Sequence, residues 1–161
     1  MRRTSSTIML TVLFAGILAL GSFLALAQEK PADNMQIVHD KVAADKKLFI
    51  AANMGLTESE AKAFWPVYES YQGELAQIEA RAGRLLEEYA RTYQAMSDQV
   101  AKKLLDEFLV IEADRLKLRQ AYLPRFRKAL PDTKVVRYYQ LENKIHAVVS
   151  YDLARMIPLV K

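Results

Sequence analysis

From Ala61 to Tyr89 the apolar residues of this chain fall in alternating steps of three and four: Ala61, Phe64, Tyr68, Tyr71, Leu75, Ile78, Ala82, Leu85 and Tyr89. That spacing is one continuous face of an α-helix. It predicts a single helix running to about Ala95, roughly 55–60 Å long at a rise of 1.5 Å per residue. A helix of that length cannot fold back on itself. Its seam must meet other helices of the chain, a second copy of the protein, or both. Thr57-Glu58-Ser59-Glu60 marks its start as a capping box, in which the threonine hydroxyl and the third-position glutamate satisfy amides that have no partner inside the helix. Pro66 lacks an amide hydrogen and predicts a kink near Lys62–Pro66.

The remaining segments carry the same period. Ile37, Val38, Val42, Leu48 and Phe49 predict a first helix over about Asn34–Asn53, closed by Gly55. Ser97-Asp98 opens another through Leu104, Phe108, Ile111, Arg115, Leu118 and Tyr122, whose apolar face is widened by Leu105, Leu109 and Leu116 enough to touch two neighbours. Pro124 is expected to bend or end it. Pro131-Asp132 then opens a last helix through Val135, Tyr138, Leu141, Ile145, Val148 and Leu153, stopped by Pro158. No stretch alternates with period two. The expected fold class is all-α, with three or four helices dominated by a long, bent antiparallel helical hairpin.

Ahead of these helices, Met1-Arg2-Arg3, an apolar run from Ile8 to Leu26 and the Ala25-Leu26-Ala27 exit have the pattern of a secretory signal peptide. Residues 1–27 are therefore expected to be removed, residues 28–33 to be a flexible leader, and 34–161 to form one helical domain. The competing reading keeps the run as an uncleaved anchor of about twenty residues. The chain has no cysteine, which excludes a lipid anchor at this junction, disulfides and thiolate chemistry. Arg2 and Arg3 are the only charged residues among 1–27, so loss of that segment leaves 21 basic against 19 acidic side chains. The working protein is nearly neutral, and nucleic acid is not expected as a partner.

Candidate chemistry is sparse. His39 and His146 are the only histidines and have no second ligand at metal spacing, Met35, Met54, Met96 and Met156 are scattered, and neither a glycine-rich phosphate loop nor a serine elbow occurs. No metal, no cofactor and no catalytic residues are expected. Charge placement is more informative. Seven glutamates face three basic residues between Thr57 and Ala90, whereas Arg115, Lys117, Arg119, Arg125, Arg127, Lys128, Lys134 and Arg137 have only Asp132 among them as an acid. Two readings follow. These cations neutralise the acidic helix across a hairpin; or, interleaved with Tyr122, Phe126, Tyr138 and Tyr139, they form an adhesive surface for acidic, partly apolar partners. On the second reading Arg115, Arg119, Tyr122, Arg125, Phe126, Arg127, Lys128 and Tyr139 are the partner-binding residues.

Leu56-Thr57-Glu58-Ser59-Glu60, opening a long helix in a cysteine-free, all-helical chain with an export leader, resembles the leucine-threonine motif of the Spy/CpxP family of periplasmic proteins. Ala63-Phe64-Trp65-Pro66-Val67-Tyr68-Glu69-Ser70-Tyr71, Leu130-Pro131 and Tyr139-Gln140-Leu141-Glu142-Asn143-Lys144-Ile145 are similar to a divergent branch of that group. The family motif normally ends in glutamine where this chain has Glu60, and its second copy is reduced here to Met96-Ser97-Asp98-Gln99-Val100. The resemblance implies bent helical hairpins that pair into dimers and act as ATP-independent chaperones or stress-sensor accessories. The expected function is thus a periplasmic, non-enzymatic chaperone or envelope-stress accessory that binds partly unfolded envelope proteins. The alternative is a regulatory module that docks onto the periplasmic domain of a membrane sensor. Leu56, Thr57 and Glu60 are expected to act as the helix cap, and stable membrane insertion is not expected once the leader is cleaved.

Overall fold

The computed structural model describes residues 34–160; the expected signal peptide and leader lie outside the described residues. Five α-helices follow in order: α1 Met35–Ala44, α2 Lys46–Met54, α3 Glu58–Thr92, α4 Asp98–Ala129 and α5 Asp132–Met156, with a short 3-10 turn at Tyr93–Ala95. No strand occurs among the described residues. The fold is all-α, as the periodicity predicts, and its main contact is the antiparallel pairing of α3 with α4.

The first helix is not single. Asp45 adopts an extended backbone and its carboxylate accepts the Leu48 amide at 3.0 Å. This side chain supplies a new N-cap, so the chain restarts as α2 rather than continuing α1. Gly55 closes α2 at φ 57°, the left-handed conformation that glycine adopts without a Cβ penalty.

α3 begins as the capping box requires. Thr57 Oγ1 accepts the Glu60 amide at 3.3 Å, and Glu60 Oε2 accepts the Thr57 amide at 2.8 Å. Lys134 from the first turn of α5 then donates to Glu60 and, at 2.9 Å, to the Gly55 carbonyl. One lysine thereby ties the end of α2, the start of α3 and the start of α5 together.

Two prolines sit inside long helices without ending them. α3 continues through Pro66 for 35 residues in all, and α4 passes Pro124 to reach Ala129. A missing amide and a ring clash are costly in a helix interior. Here both prolines are flanked by buried aromatic residues, Phe64 and Tyr68 around the first and Tyr122 and Phe126 around the second. Packing of those rings offsets the local cost.

The core is accordingly aromatic. Phe64, Tyr68 and Tyr71 of α3 meet Tyr122 and Phe126 of α4 and Tyr138 of α5, with edge-to-face and tilted contacts such as Phe126–Tyr138 at 4.6 Å and Tyr71–Tyr122 at 5.3 Å. Val38, Phe49, Ile50 and Met54 seal it from the side of α1 and α2. Beyond this layer the hairpin is thinly covered. Leu75, Ile78 and Leu85 of α3 are only half-buried, while Leu105, Leu109 and Leu116 of α4 are 58, 56 and 57 % exposed. These three leucines stay largely in solvent, although α4 itself touches both α3 and α5, the latter through Phe126 and Tyr138.

Ionic contacts fix the pairing of the hairpin. Arg81 bridges Glu107 at 2.9 Å and Asp114 at 2.7 Å, Arg115 reaches Glu79 at 3.2 Å, and Lys103 reaches Glu88 at 2.8 Å. Each exposed pair contributes little stability alone. As a set they select one register of α3 against α4.

Candidate functional site

Burial divides the eight residues expected to bind a partner. Tyr122 and Phe126 are 1 % and 0 % exposed, because burying a large ring in a well-packed core is worth more than presenting it to water. Tyr139 is half-buried and its hydroxyl donates to the Arg119 carbonyl at 2.8 Å. Arg115 is buried and held by Glu79 and Glu112. The expected surface of cations interleaved with open aromatic rings is therefore not assembled: its rings belong to the core. Arg125, Arg127 and Lys128 do face solvent, Arg125 stacking over the Tyr122 ring at 4.5 Å and Arg127 pairing with Asp132 at 3.0 Å. Leu56 packs half-buried against the core, and Thr57 and Glu60 have the geometry of a cap.

Apolar surface is instead concentrated at the far end of the hairpin. Leu85, Leu86 and Tyr89 near the end of α3 face Leu104, Leu105 and Phe108 near the start of α4, and the end of α5 supplies Leu153 with the tail residues Ile157 and Val160. These side chains line a cleft of about 460 Å³, within the range of ligand-sized hollows between packed helices. The tail leaves α5 in an extended conformation at Ile157, and the Tyr89 hydroxyl donates to the Pro158 carbonyl at 2.5 Å. The apolar tail thus already lies against this cleft through Ile157 and Val160. A second, charged hollow follows the hairpin beside it, with Arg84, Arg91 and Lys102 on its walls together with Glu87 and Asp106.

Midway along the bundle the structure gathers polar groups that are far apart in sequence. Lys46 Nζ donates to Glu142 Oε2 and to Gln72 Oε1, both at 2.9 Å, while Gln72 Nε2 donates to Glu142 Oε1 at 2.9 Å. Glu142 is buried, so this pairing supplies the compensation that a desolvated carboxylate requires. The same surroundings act on the neighbouring phenols: burial, reinforced by the Glu142 charge, pushes Tyr71 up to about 12 and raises Tyr68 and Tyr138 further. These tyrosines stay protonated donors across the physiological range.

The histidines lie apart. His39 of α1 contacts Asp40 at 3.0 Å and Asp152 of α5 at 3.1 Å. Both carboxylates, Asp40 first through its hydrogen bond, raise its pKa. His146 is half-buried, and desolvation followed by the charges of Arg115 and Arg119 lowers its pKa. No group of three or more His, Asp or Glu suited to a metal ion occurs among the described residues, and no described helix is long and apolar enough to cross a membrane.

Two features were not readable as sites from the residues alone. Lys46, Gln72 and Glu142 look like ordinary helix-surface residues in sequence, and only the packing of α2 and α5 on α3 makes them converge. The segment Ile157-Pro158-Leu159-Val160 carries a visible signal, an apolar run after a helix stop, but its landing place depends on the length of α5. Comparison of the chain with protein-family models, with curated proteins and with solved structures finds no match in any of the three.

Proposed function

We propose that this protein is a non-enzymatic, ATP-independent chaperone or envelope-stress accessory that takes extended apolar segments of partly unfolded proteins into the cleft at the hairpin end. The observation that carries the reading is the tail. Residues Ile157–Val160 are themselves an apolar peptide, held there by the Tyr89 hydrogen bond to Pro158, by the Ile157 amide on the Leu153 carbonyl at 2.9 Å and by the apolar contacts of Ile157 and Val160. A lining with few polar atoms favours apolar segments without demanding a sequence. The exposed Leu105, Leu109 and Leu116 extend that apolar surface along α4, the kind of patch that marks an interaction site. Export to the periplasm through the N-terminal segment and kinship with Spy/CpxP-like proteins belong to the same proposal and accord with such a role.

Suppression of aggregation of a chemically unfolded client tests the proposal. Leu105→Ser with Phe108→Ser should reduce suppression several-fold while circular dichroism stays helical. Reversal of Arg125, Arg127 and Lys128 to glutamate, at the other end of α4, should leave it nearly unchanged. Full suppression by the serine variant would sink the cleft as the binding site. A second reading, regulatory docking onto the periplasmic domain of a membrane sensor, draws on the four- and seven-residue spacing of Leu105, Leu109 and Leu116, which also suits one fixed helical partner. Saturable one-to-one binding to a single sensor domain, without suppression of general aggregation, would favour it.

A further inference from the structure

Between α3 and α5, and separate from the cleft at the hairpin end, lies a cavity of about 660 Å³ lined by both apolar and charged side chains. Leu75, Ala76 and Ala80 of α3 face Ile145 and Val149 of α5 across it. Alanine at positions 76 and 80, where larger residues would project into the space, leaves the mouth open.

The charged lining holds three fixed cations, Lys46, Arg115 and Arg119, against two carboxylates, Glu79 and Glu142. Lys46 is paired with Glu142, and Arg115 with Glu79 and with Glu112 outside the lining. Arg119 takes part in none of the ion pairs among the described residues; its guanidinium lies beside the Tyr71 hydroxyl, with His146 close by. Arg119 thus presents a guanidinium without a carboxylate partner among the described residues, next to a phenol donor and an imidazole. A single unpaired guanidinium suits a monoanion better than a phosphate dianion, and its fork matches the two oxygens of a carboxylate. The apolar side chains of the cavity exclude a small hydrated ion as the natural occupant, because they would gain nothing from it.

We infer that this cavity is a binding site for a small amphipathic carboxylate, an acyl chain of medium length whose carboxylate sits against Arg119 and Tyr71 and whose chain lies between Leu75, Ala80, Ile145 and Val149. The ligand gives Arg119 a direct carboxylate partner and buries the apolar side chains. Nothing in this assignment requires the hairpin-end cleft, and the two sites are tested by different variants.

Titration calorimetry with dodecanoate, kept below its micelle concentration, tests the assignment on the full-length exported chain. Dodecanoate should bind with a stoichiometry of one per chain. Dodecan-1-ol, of the same length but uncharged, and inorganic phosphate, charged but without a chain, should each bind about tenfold more weakly or worse, the scale of one charge-assisted contact. Arg119→Gln should bring dodecanoate down to the level of the alcohol, and Ala80→Phe, which fills the mouth without altering charge, should abolish saturable binding. In the nuclear magnetic resonance spectrum the His146 ring should titrate at higher pH once dodecanoate is bound, a response that simple structural loss would not give. Equal affinity for dodecanoate and dodecan-1-ol would overturn the assignment. So would binding that survives both variants, or that is lost on Leu105→Ser with Phe108→Ser instead.

Discussion

The hydroxyl of Tyr122 donates a hydrogen bond to Glu74 at 2.5 Å, joining α4 to α3 at the edge of the aromatic core. The Tyr122 ring is buried and Glu74 is exposed, so the residue packs with one end and pairs with the other. Tyr122→Phe keeps the ring and removes the bond. It should cost about 1.5 kcal/mol, the low end for a bond to a charged group, because Glu74 regains water. Tyr122→Ala also opens a cavity beside Tyr71 and Phe126 and should cost about 3–5 kcal/mol. Urea denaturation of both variants measures the difference. Equal losses would mean that the hydroxyl, not the ring, dominates.

The capping box makes a second demand, in which stability and pH are linked. Thr57→Ala should cost about 0.5–2 kcal/mol, whereas Thr57→Ser should be close to neutral. Glu60 is held below its ordinary pKa, first by Lys134 and then by the Thr57 amide. A lowered carboxylate pKa gives stability that is complete above the unfolded value of about 4.5 and is lost as pH falls through the folded value. Glu60→Gln retains the cap but not the charge. The stability gap between wild type and Glu60→Gln should therefore be constant above pH 4.5 and close below it. A gap that persists in acid would show that the ion pair with Lys134 is not its source.

Much of this architecture is legible in sequence because it is local. The Thr57–Glu60 box, the three-four seam and the Gly55 cap each act within a few residues, and the start of α3, the course of the hairpin and the end of α2 follow from them. Asp45 was equally local and still easy to miss, since an aspartate in a helical run more often faces solvent than accepts an amide. Tertiary choices were not legible. Nothing in the spacing of Tyr122 and Phe126 distinguishes a buried ring from one beside the exposed Arg125, and the cations of α4 serve two ends at once: Arg115 neutralises Glu79 as charge complementarity suggests, while Arg125 caps a core ring. The cavities depend on how far α5 runs along the hairpin, a quantity set by Pro158 and by packing together.

His39 links α1 to α5 through Asp152, and its pKa is raised above 6.5 by Asp40 and then by Asp152. For a raised histidine the sign is opposite to that of Glu60. The contribution is fully present below pH 6.5 and is lost as pH rises through the folded value. The difference in stability between wild type and His39→Gln should thus be larger on the acidic side of pH 6.5 than on the alkaline side, and Asp152→Asn should reduce it. A pH-independent difference would assign the effect of His39 to packing of α1.

The tail supplies the sharpest test of how the hairpin-end cleft works. Tyr89 holds Pro158 by one hydrogen bond, while Leu159 is 89 % exposed, so the segment is attached at few points. A tail that occupies the surface a client needs must leave before the client enters, and the cost of its removal lowers apparent affinity by the fraction of molecules in which it is open. Tyr89→Phe should therefore increase client capture modestly. Truncation after Met156 should increase capture further, at the expense of the apolar contacts of Ile157 and Val160 with the hairpin. If truncation instead abolishes capture with the helices intact, the tail is part of the binding wall rather than a competitor. Unchanged capture in both variants would mean that clients bind along Leu105, Leu109 and Leu116 without entering the cleft.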